Sequence, residues 1–85
     1  LNVNGDSMTD LGINDGDLAI IRSQHTANNG EIVAAILDGE ATLKTYSNKK
    51  GELYLLPANQ RYTPLKVTTS NFKIAGILTG ILRSY

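Results

Sequence analysis

Eighty-five residues provide for one small domain, so we expect the chain to fold as a single unit over residues 1–85. Eight basic and eight acidic side chains leave no basic excess, which disfavours a free-standing nucleic-acid binder. The sequence has no cysteine and a single histidine, His25, which excludes disulfides, thiol nucleophiles and a zinc site built from facing histidines.

The chain also lacks the patterns of a membrane or exported protein. Its longest unbroken apolar run, Ile32–Leu37, is far shorter than the roughly 18 residues of a membrane helix. No signal-peptide pattern is present, and the lack of cysteine is compatible with the cytoplasm. We therefore expect a cytoplasmic protein without membrane association, metal or other cofactor.

Turn residues recur about every ten positions, between segments rich in β-branched residues. This pattern predicts a mainly β fold of several short, highly curved strands. The single candidate for a helical turn is residues 7–11, which have a serine near their start, and residues 58–64 look polar and irregular. The predicted strands are residues 17–22, 31–37, 40–46, 52–56, 65–69 and 72–82.

Several details constrain how these strands connect. The strand at residues 31–37 is apolar on both faces, so we expect it to be central in the sheet. Asp38-Gly39 suits a two-residue hairpin, and a second turn is predicted over residues 47–51. In the last strand, Gly76 and Gly80 indicate a bulge or the close approach of another backbone.

Two residues 37 positions apart, Ser7 and Lys44, stand in settings that suit catalysis. Ser7 lies in a turn after Gly5, which permits a tight backbone path and leaves nearby amides free to face a substrate carbonyl. Lys44 lies in the middle of an apolar, β-prone segment. A hydroxyl becomes a nucleophile when a base takes its proton, and a lysine is a base only where desolvation lowers its pKa.

Each of these two residues also fits a purely structural role. Ser7 suits a turn or the cap of a short helix, and Lys44 suits a solvent-facing position on an amphipathic strand. A catalytic lysine would need apolar walls around its amine, and the candidates for them are Met8, Ile36 and Leu43.

Ordered motifs extend over nearly the whole chain. They are Gly5-Asp6-Ser7-Met8, Gly12-Ile13-Asn14-Asp15-Gly16-Asp17-Leu18, Asn29-Gly30-Glu31-Ile32-Val33-Ala34, Thr42-Leu43-Lys44, Leu55-Leu56-Pro57-Ala58-Asn59 and Phe72-Lys73-Ile74-Ala75-Gly76-Ile77. In this order, and with this serine-to-lysine spacing, they resemble the self-cleaving domain of LexA, UmuD and lambdoid phage repressors. Type I signal peptidases share the Ser–Lys chemistry but match less well, because they need a membrane anchor and usually a longer serine-to-lysine interval.

The resemblance implies the bent β fold of a LexA C-terminal domain and a serine endopeptidase that acts mostly on its own chain. Ser7 matches the family's nucleophile and Lys44 its general base, while the main-chain amides of Asp6 and Ser7 match its oxyanion hole. It further implies a homodimer and stimulation by RecA filaments on single-stranded DNA. The family's dimer contact falls on the last strand, where apolar residues on both faces agree with a covered edge. The predicted contact residues are Phe72, Ile74, Ile77, Leu78 and Ile81.

The sequence departs from the family pattern in two respects. The family often has a second basic residue after the lysine, where this chain has Thr45. The family's scissile Ala-Gly or Cys-Gly bond lies further upstream than the six residues before Ser7, so we expect a fragment that lacks its own cleavage site and any DNA-binding domain. Ala75-Gly76 lies within the predicted last strand, and a paired strand is a poor protease substrate.

Three functions remain open from the sequence. The first is the C-terminal domain of a LexA-like repressor of the SOS response, which would bind DNA through an upstream helix-turn-helix domain. The second is a UmuD-like accessory factor of an error-prone DNA polymerase, toward which Gly5-Asp6-Ser7-Met8 leans slightly. The third is a catalytically silent dimerisation domain of a phage-type repressor, in which Ser7 and Lys44 would be structural.

Overall fold

The computed structural model describes residues 1–84, which form one antiparallel sheet of six strands after an irregular N-terminal segment. Along the sheet the order is β1-β6-β2-β3-β4-β5. This architecture confirms the mainly β fold. The strands are β1 (Leu18–Ser23), β2 (Ile32–Leu37), β3 (Glu40–Lys49), β4 (Glu52–Leu56), β5 (Leu65–Lys66) and β6 (Phe72–Leu82), and a 3-10 helix covers Thr9–Leu11. In the described part of the chain, no helix has the length and apolar character needed to span a membrane.

Both tight hairpins close on two residues with positive φ angles. Asp38-Gly39 joins β2 to β3 as predicted, with φ angles of 49° and 84°. Lys50-Gly51 joins β3 to β4, with φ angles of 54° and 78°. The predicted turn over residues 47–51 was too long, because β3 continues to Lys49, which pairs with Glu52. The polar residues that suggested a turn belong instead to an exposed two-stranded ribbon.

Strand β2 is central, as its apolar sequence predicted, because it pairs with β3 on one side and β6 on the other. Strand β6, by contrast, lies between β1 and β2, so the prediction that the last strand forms a covered sheet edge was wrong. The outermost strands of the sheet are β1 and β5. The apolar residues on both faces of β6 are explained by its burial within one chain.

The glycines of β6 mark two irregularities in its pairing. The register against β2 shifts where Ala34 faces Gly76 and Ala35 faces Ile74, which leaves Ala75 as an extra residue. The register against β1 shifts in the same way next to Gly80. A Cβ atom at position 76 would lie 2.4 Å from the carbonyl oxygen of Arg22, so only glycine fits there. The predicted bulge and close backbone approach are thus confirmed.

Two groups of buried apolar residues pack on the two faces of β2, whose side chains alternate between them. We call the first the N-terminal core, because three of its six buried members precede β1. Its buried members are Val3, Met8, Ile13, Ala19, Ala34 and Leu43. We call the second the sheet core, because strands supply all its buried members. These are Val33, Ala35, Leu55, Ile74 and Ile77.

Candidate functional site

The turn that carries Ser7 is fixed to the sheet by its neighbours in sequence. Met8 is 2% exposed and packs in the N-terminal core, so the residue before it is held at the surface of that core. On the other side, Gly5 has a φ angle of 86°, which favours glycine, and its N–H donates to Asp15 Oδ1 at 2.7 Å. Ser7 is therefore presented on a short, anchored stretch of backbone.

Lys44 lies where strand β3 changes partners. Residues 40–45 of β3 pair with β2, and residues 45–49 pair with β4. The side of β3 that faces away from β2 is therefore left open next to Lys44, and a cleft forms there. Its lining residues come from the N-terminal segment and from β3: Leu1, Asn2, Val3, Asn4, Gly5, Ser7, Met8, Ala41, Thr42, Leu43 and Lys44.

The structure brings the two sequence-predicted residues into direct contact. Lys44 Nζ donates to Ser7 Oγ at 2.7 Å, and its other acceptors are Thr42 Oγ1 at 2.8 Å and the carbonyl oxygen of Leu43 at 3.2 Å. Burial of the amine lowers the pKa of Lys44 from its ordinary value of 10.5. This arrangement is what an amine needs in order to exchange a proton with a neighbouring hydroxyl.

Two of the three predicted apolar walls line this cleft. Met8 and Leu43 are buried beside it, and Val3 joins them. Ile36 lies outside the cleft, since it is not one of the residues that line it. The prediction that Ile36 shields the amine was therefore wrong.

Thr42 is a site residue that the sequence reasoning did not select. It precedes Lys44 by two positions, so both side chains project from the same face of β3. This period-two relation was the available signal, and it makes the hydroxyl of Thr42 a built-in acceptor for the lysine amine.

A loop from the far end of the chain holds the turn at Ser7 through its main chain. The N–H of Ala58 donates to the carbonyl oxygen of Ser7 at 2.7 Å, and Asn59 Nδ2 donates to that of Asp6 at 2.8 Å. The N–H of Asp10 donates back to the carbonyl oxygen of Ala58 at 2.7 Å. Sequence reasoning treated residues 58–64 as an irregular connection, since no local pattern indicates contacts over fifty positions.

The same loop also binds the side chain of Asp6. Its carboxylate forms an ion pair with Arg61 and accepts a hydrogen bond from the Tyr62 hydroxyl. The Tyr62 hydrogen bond is the main cause that lowers the pKa of Asp6, and Arg61 adds to it against the opposing effect of desolvation. The carboxylate in turn raises the pKa of Tyr62. The residue before Ser7 is therefore an ionised, anchored carboxylate.

The two amides expected to form an oxyanion hole differ in their surroundings. Within residues 1–84, the N–H of Ser7 donates to no protein acceptor. The N–H of Asp6 supports its own carboxylate, and this contact contributes to that group's lowered pKa. Of the two, the Ser7 amide is the donor that stays available to a bound ligand.

Of the five residues predicted to form a dimer contact, two are buried and three are half-buried. Ile74 and Ile77 are 7% and 5% exposed in the sheet core, and Phe72 packs against that core. Leu78 and Ile81 pack against the N-terminal core. Among these five side chains, the proportion that a partner could contact is therefore largest at Phe72, Leu78 and Ile81, and the dimer contact stays a prediction. Large apolar side chains are exposed instead on β1 and at the end of β6, namely Leu18, Ile20 and Leu82.

Among the described residues, no group of three histidine, cysteine, aspartate or glutamate side chains is placed to hold a metal ion. The site itself presents a hydroxyl, an amine and main-chain amides. His25 lies in the connection between β1 and β2, outside the cleft lined by Ser7 and Lys44.

Comparison with known proteins gives a consistent result. The family described as Peptidase S24-like matches residues 1–79. Similar proteins include the LexA repressor of Nocardioides sp., which is 52% identical over 83 residues, covering 98% of this chain and 33% of the relative. The LexA repressor of Alcanivorax borkumensis is 48% identical, covering 98% of this chain and 41% of the relative. That of Leptospira interrogans is 46% identical, covering 100% of this chain and 41% of the relative. The chain thus spans about two-fifths or less of the length of these relatives.

Proposed function

The chain belongs to the Peptidase S24-like family, and from this premise we propose that it is the catalytic C-terminal domain of a LexA-like SOS-response repressor. In this proposal it is a serine endopeptidase that cleaves the longer chain of which it forms part. The observation that carries the proposal is the 2.7 Å contact between Lys44 Nζ and Ser7 Oγ. A solvent-facing lysine or a simple turn serine would not require this contact.

The three acceptors around Lys44 indicate how its neutral form would act. A neutral amine keeps two N–H donors and one lone pair. If Thr42 Oγ1 and the Leu43 carbonyl accept the two N–H groups, the lone pair is left facing Ser7 Oγ. Partial burial favours this neutral form because it penalises the ammonium charge.

The reaction then follows from these positions. Lys44 takes the proton of Ser7 while Oγ bonds to the carbonyl carbon of the scissile peptide, whose oxygen becomes an oxyanion. The Lys44 ammonium returns that proton to the departing amine, and the carbon–nitrogen bond breaks to leave an ester on Ser7. A water molecule, deprotonated by Lys44, hydrolyses the ester and restores the serine. The Ser7 amide would stabilise the oxyanion, which is worth about 3 kcal/mol for one donor.

Self-cleavage of a longer chain that contains these residues tests the proposal. The cleavage rate should rise as the pH is raised from 7 toward 10.5, because burial lowers the pKa of Lys44 below its ordinary value and so favours the neutral amine. Ser7→Ala and Lys44→Ala should abolish cleavage, whereas Lys49→Ala, on the exposed end of β3, should cleave at the unsubstituted rate. Gel electrophoresis of timed samples measures all four chains.

Two outcomes would contradict the proposal. Cleavage by Ser7→Ala or Lys44→Ala at the unsubstituted rate would mean that the contact between these residues is structural. An unsubstituted chain that stays intact at pH 10 and with RecA filaments would favour the silent dimerisation domain of a phage-type repressor. The quoted relatives are all named as LexA repressors, which supports the repressor over the UmuD-like polymerase factor.

The remaining parts of the proposal concern the setting of the longer protein. It would act in the cytoplasm as a homodimer, bind DNA only through a domain outside these residues, and respond to RecA filaments on single-stranded DNA. The exposed side chains of Leu18, Ile20 and Leu82 are the apolar surface that a second copy would cover. Sedimentation of the Leu82→Glu variant tests this, because a charge there should shift a dimer toward the monomer.

A further inference from the structure

We infer that Asn59 is a positioning residue for the peptidase reaction: its side-chain amide fixes the Asp6–Ser7 peptide plane so that the Ser7 N–H faces the substrate carbonyl. This inference rests on the proposed function, because it assigns a role within the same site. Asn59 touches neither Ser7 Oγ nor Lys44 Nζ, so its effect is transmitted through the main chain of the turn.

The carbonyl oxygen of Asp6 is the point at which the turn is held. It accepts Asn59 Nδ2 at 2.8 Å, Thr9 Oγ1 at 3.2 Å and the Thr9 N–H at 3.4 Å. The peptide bond between Asp6 and Ser7 is trans, and in a trans peptide the C=O and N–H groups point in opposite directions. Donors that hold the oxygen therefore direct the Ser7 N–H to the opposite side, away from the loop.

The next peptide plane is held from the same loop. The carbonyl oxygen of Ser7 accepts the N–H of Ala58 at 2.7 Å, so consecutive residues of the loop anchor the planes on both sides of the nucleophile. Neither plane can rotate without breaking one of these hydrogen bonds. Such rigidity matters because small displacements of a catalytic donor cost large factors in rate.

The asparagine side chain is oriented by contacts at both of its ends. While Nδ2 donates to the Asp6 carbonyl, Oδ1 accepts the N–H of Arg61 at 2.9 Å. An amide side chain can supply both this donor and this acceptor, whereas a carboxylate supplies only acceptors. In an Asn59→Asp variant, a carboxylate oxygen would therefore face the carbonyl oxygen of Asp6, and the two would repel each other. The requirement for asparagine at this position is therefore chemical and testable.

The test uses Asn59→Asp and Asn59→Ala in the longer, self-cleaving chain, with cleavage measured from pH 7 to pH 11. Asn59→Asp keeps the acceptor for Arg61 and removes the donor to Asp6, and Asn59→Ala removes both without adding charge. Both variants should lower the alkaline plateau rate by about 10- to 100-fold, as expected for a misdirected oxyanion donor. The pH midpoint of Asn59→Ala should equal that of the unsubstituted chain, because Lys44 remains the base.

Asn29 offers a matched control for the aspartate substitution. Its Nδ2 donates to the carbonyl oxygen of Asn48 at 3.0 Å and its Oδ1 accepts the N–H of Asn48 at 2.5 Å, at the end of β3 remote from Lys44. Asn29→Asp thus makes the same chemical change to the same kind of bridge. It should leave the plateau rate within twofold of the unsubstituted value.

Each outcome bears on the inference separately from the proposed function. If the unsubstituted chain cleaves and both Asn59 variants match it within twofold, the inference fails while the proposed function stands. A shifted midpoint in Asn59→Ala also overturns it, since the residue would then act through Lys44. If the unsubstituted chain never cleaves, the proposed function and this inference fail together.

A second variant covers the case in which the Asn59 variants unfold. Thr9→Val removes another donor to the Asp6 carbonyl, so it should lower the plateau rate about threefold without moving the pH midpoint. An unchanged plateau rate in Thr9→Val overturns the inference.

Discussion

The two cores on either side of β2 differ in what covers them. The sheet core is enclosed by side chains of the strands themselves, such as Val33, Leu55 and Ile77. In the N-terminal core, half of the buried members lie outside regular strands, namely Val3, Met8 and Ile13. Only the second of these cores carries the turn that contains Ser7. The sheet thus supplies stability on one face and the attachment point for an irregular segment on the other.

A pair of core truncations should separate these two roles most clearly. Leu55 in the sheet core is 0% exposed and Met8 in the N-terminal core is 2% exposed, so Leu55→Ala and Met8→Ala should each cost about 2–5 kcal/mol of unfolding free energy. At a temperature where both variants are folded, Met8→Ala should also lower the cleavage rate by about tenfold, because Met8 adjoins Ser7 and lines the cleft. Urea unfolding and timed cleavage assays give the two quantities. Equal loss of activity in both folded variants would contradict the division.

The two glycines of β6 should differ in how much they contribute to stability. Both cores depend on the path of this strand, because β6 supplies side chains to each of them. In Gly76→Ala the new Cβ would lie 2.4 Å from a backbone carbonyl oxygen, which should cost about 3 kcal/mol. In Gly80→Ala the nearest atom is a side-chain methyl of Ile20 at 3.5 Å, an ordinary contact, so the cost should stay below about 1 kcal/mol. Denaturant unfolding of the two variants compares them directly. Equal destabilisation would mean that the bulge at Ala75 relaxes to admit a side chain.

An ion pair ties the segment that covers the N-terminal core to the end of β6. The Asp17 carboxylate is nearly buried and accepts Arg83 Nε at 2.8 Å and Nη2 at 2.7 Å, while the Asp17 carbonyl oxygen accepts the N–H of Val3 at 2.9 Å. The Arg83 hydrogen bond, followed by that of the Asn14 N–H, lowers the pKa of Asp17 from 3.8 to about 2. Arg83→Met should lower the melting temperature by roughly 10 °C at pH 7, because it strands a buried carboxylate.

The pH dependence of this effect has a definite sign. A carboxyl whose pKa is lowered on folding stabilises the protein above its unfolded pKa, and this stability is lost as the pH falls through the folded value. The melting temperatures of the unsubstituted chain and of Arg83→Met should therefore converge between about pH 4 and pH 2. Calorimetry across that range measures the gap, and a gap that stays constant would show that the Asp17 charge is not its cause.

The smallest expected effect concerns Lys44, whose partial burial penalises the charged form of its amine. Its pKa is lowered on folding, so the unfolded chain binds the extra proton and the stability of the protein rises as the pH approaches 10.5. Lys44→Met should accordingly melt a few degrees higher than the unsubstituted chain at pH 7, with a gap that closes by about pH 11. Lys49→Met is the control, since Lys49 is exposed and should show no such trend. A Lys44→Met variant that melts lower at pH 7 would mean that the amine stabilises the fold.

Much of the fold could be predicted from the sequence, because turns and strands are marked by local residue patterns. The dipeptide Asp38-Gly39 marked a hairpin, and the apolar run of β2 marked a central strand. The position of β6 between β1 and β2 was not readable, because strand order depends on contacts between distant segments. The predicted turn over residues 47–51 was too long for a different reason. An exposed two-stranded ribbon and a loop have similar polar compositions, so composition does not separate them.

For the site, the sequence singled out two side chains that lie in contact and missed the residues that support them. Ser7 and Lys44 were predicted through their settings and through family motifs, and the structure brings them into contact. The prediction that Ile36 packs beside the Lys44 amine was wrong. The register between neighbouring strands decides which side chains face each other, and the sequence does not reveal that register. The contacts of Asn59 and Arg61 with the turn span more than fifty positions, and no periodicity predicts contacts of that kind.

The long sequence separation of the parts of the site has a consequence during protein synthesis. Ser7 leaves the ribosome early, its partner amine emerges 37 residues later, and the loop that fastens the turn follows after that. Under the proposed function, a growing polypeptide would carry an inert alcohol until most of the domain has emerged and docked. Newly made chains would then be protected against premature hydrolysis by their own topology, without any inhibitor.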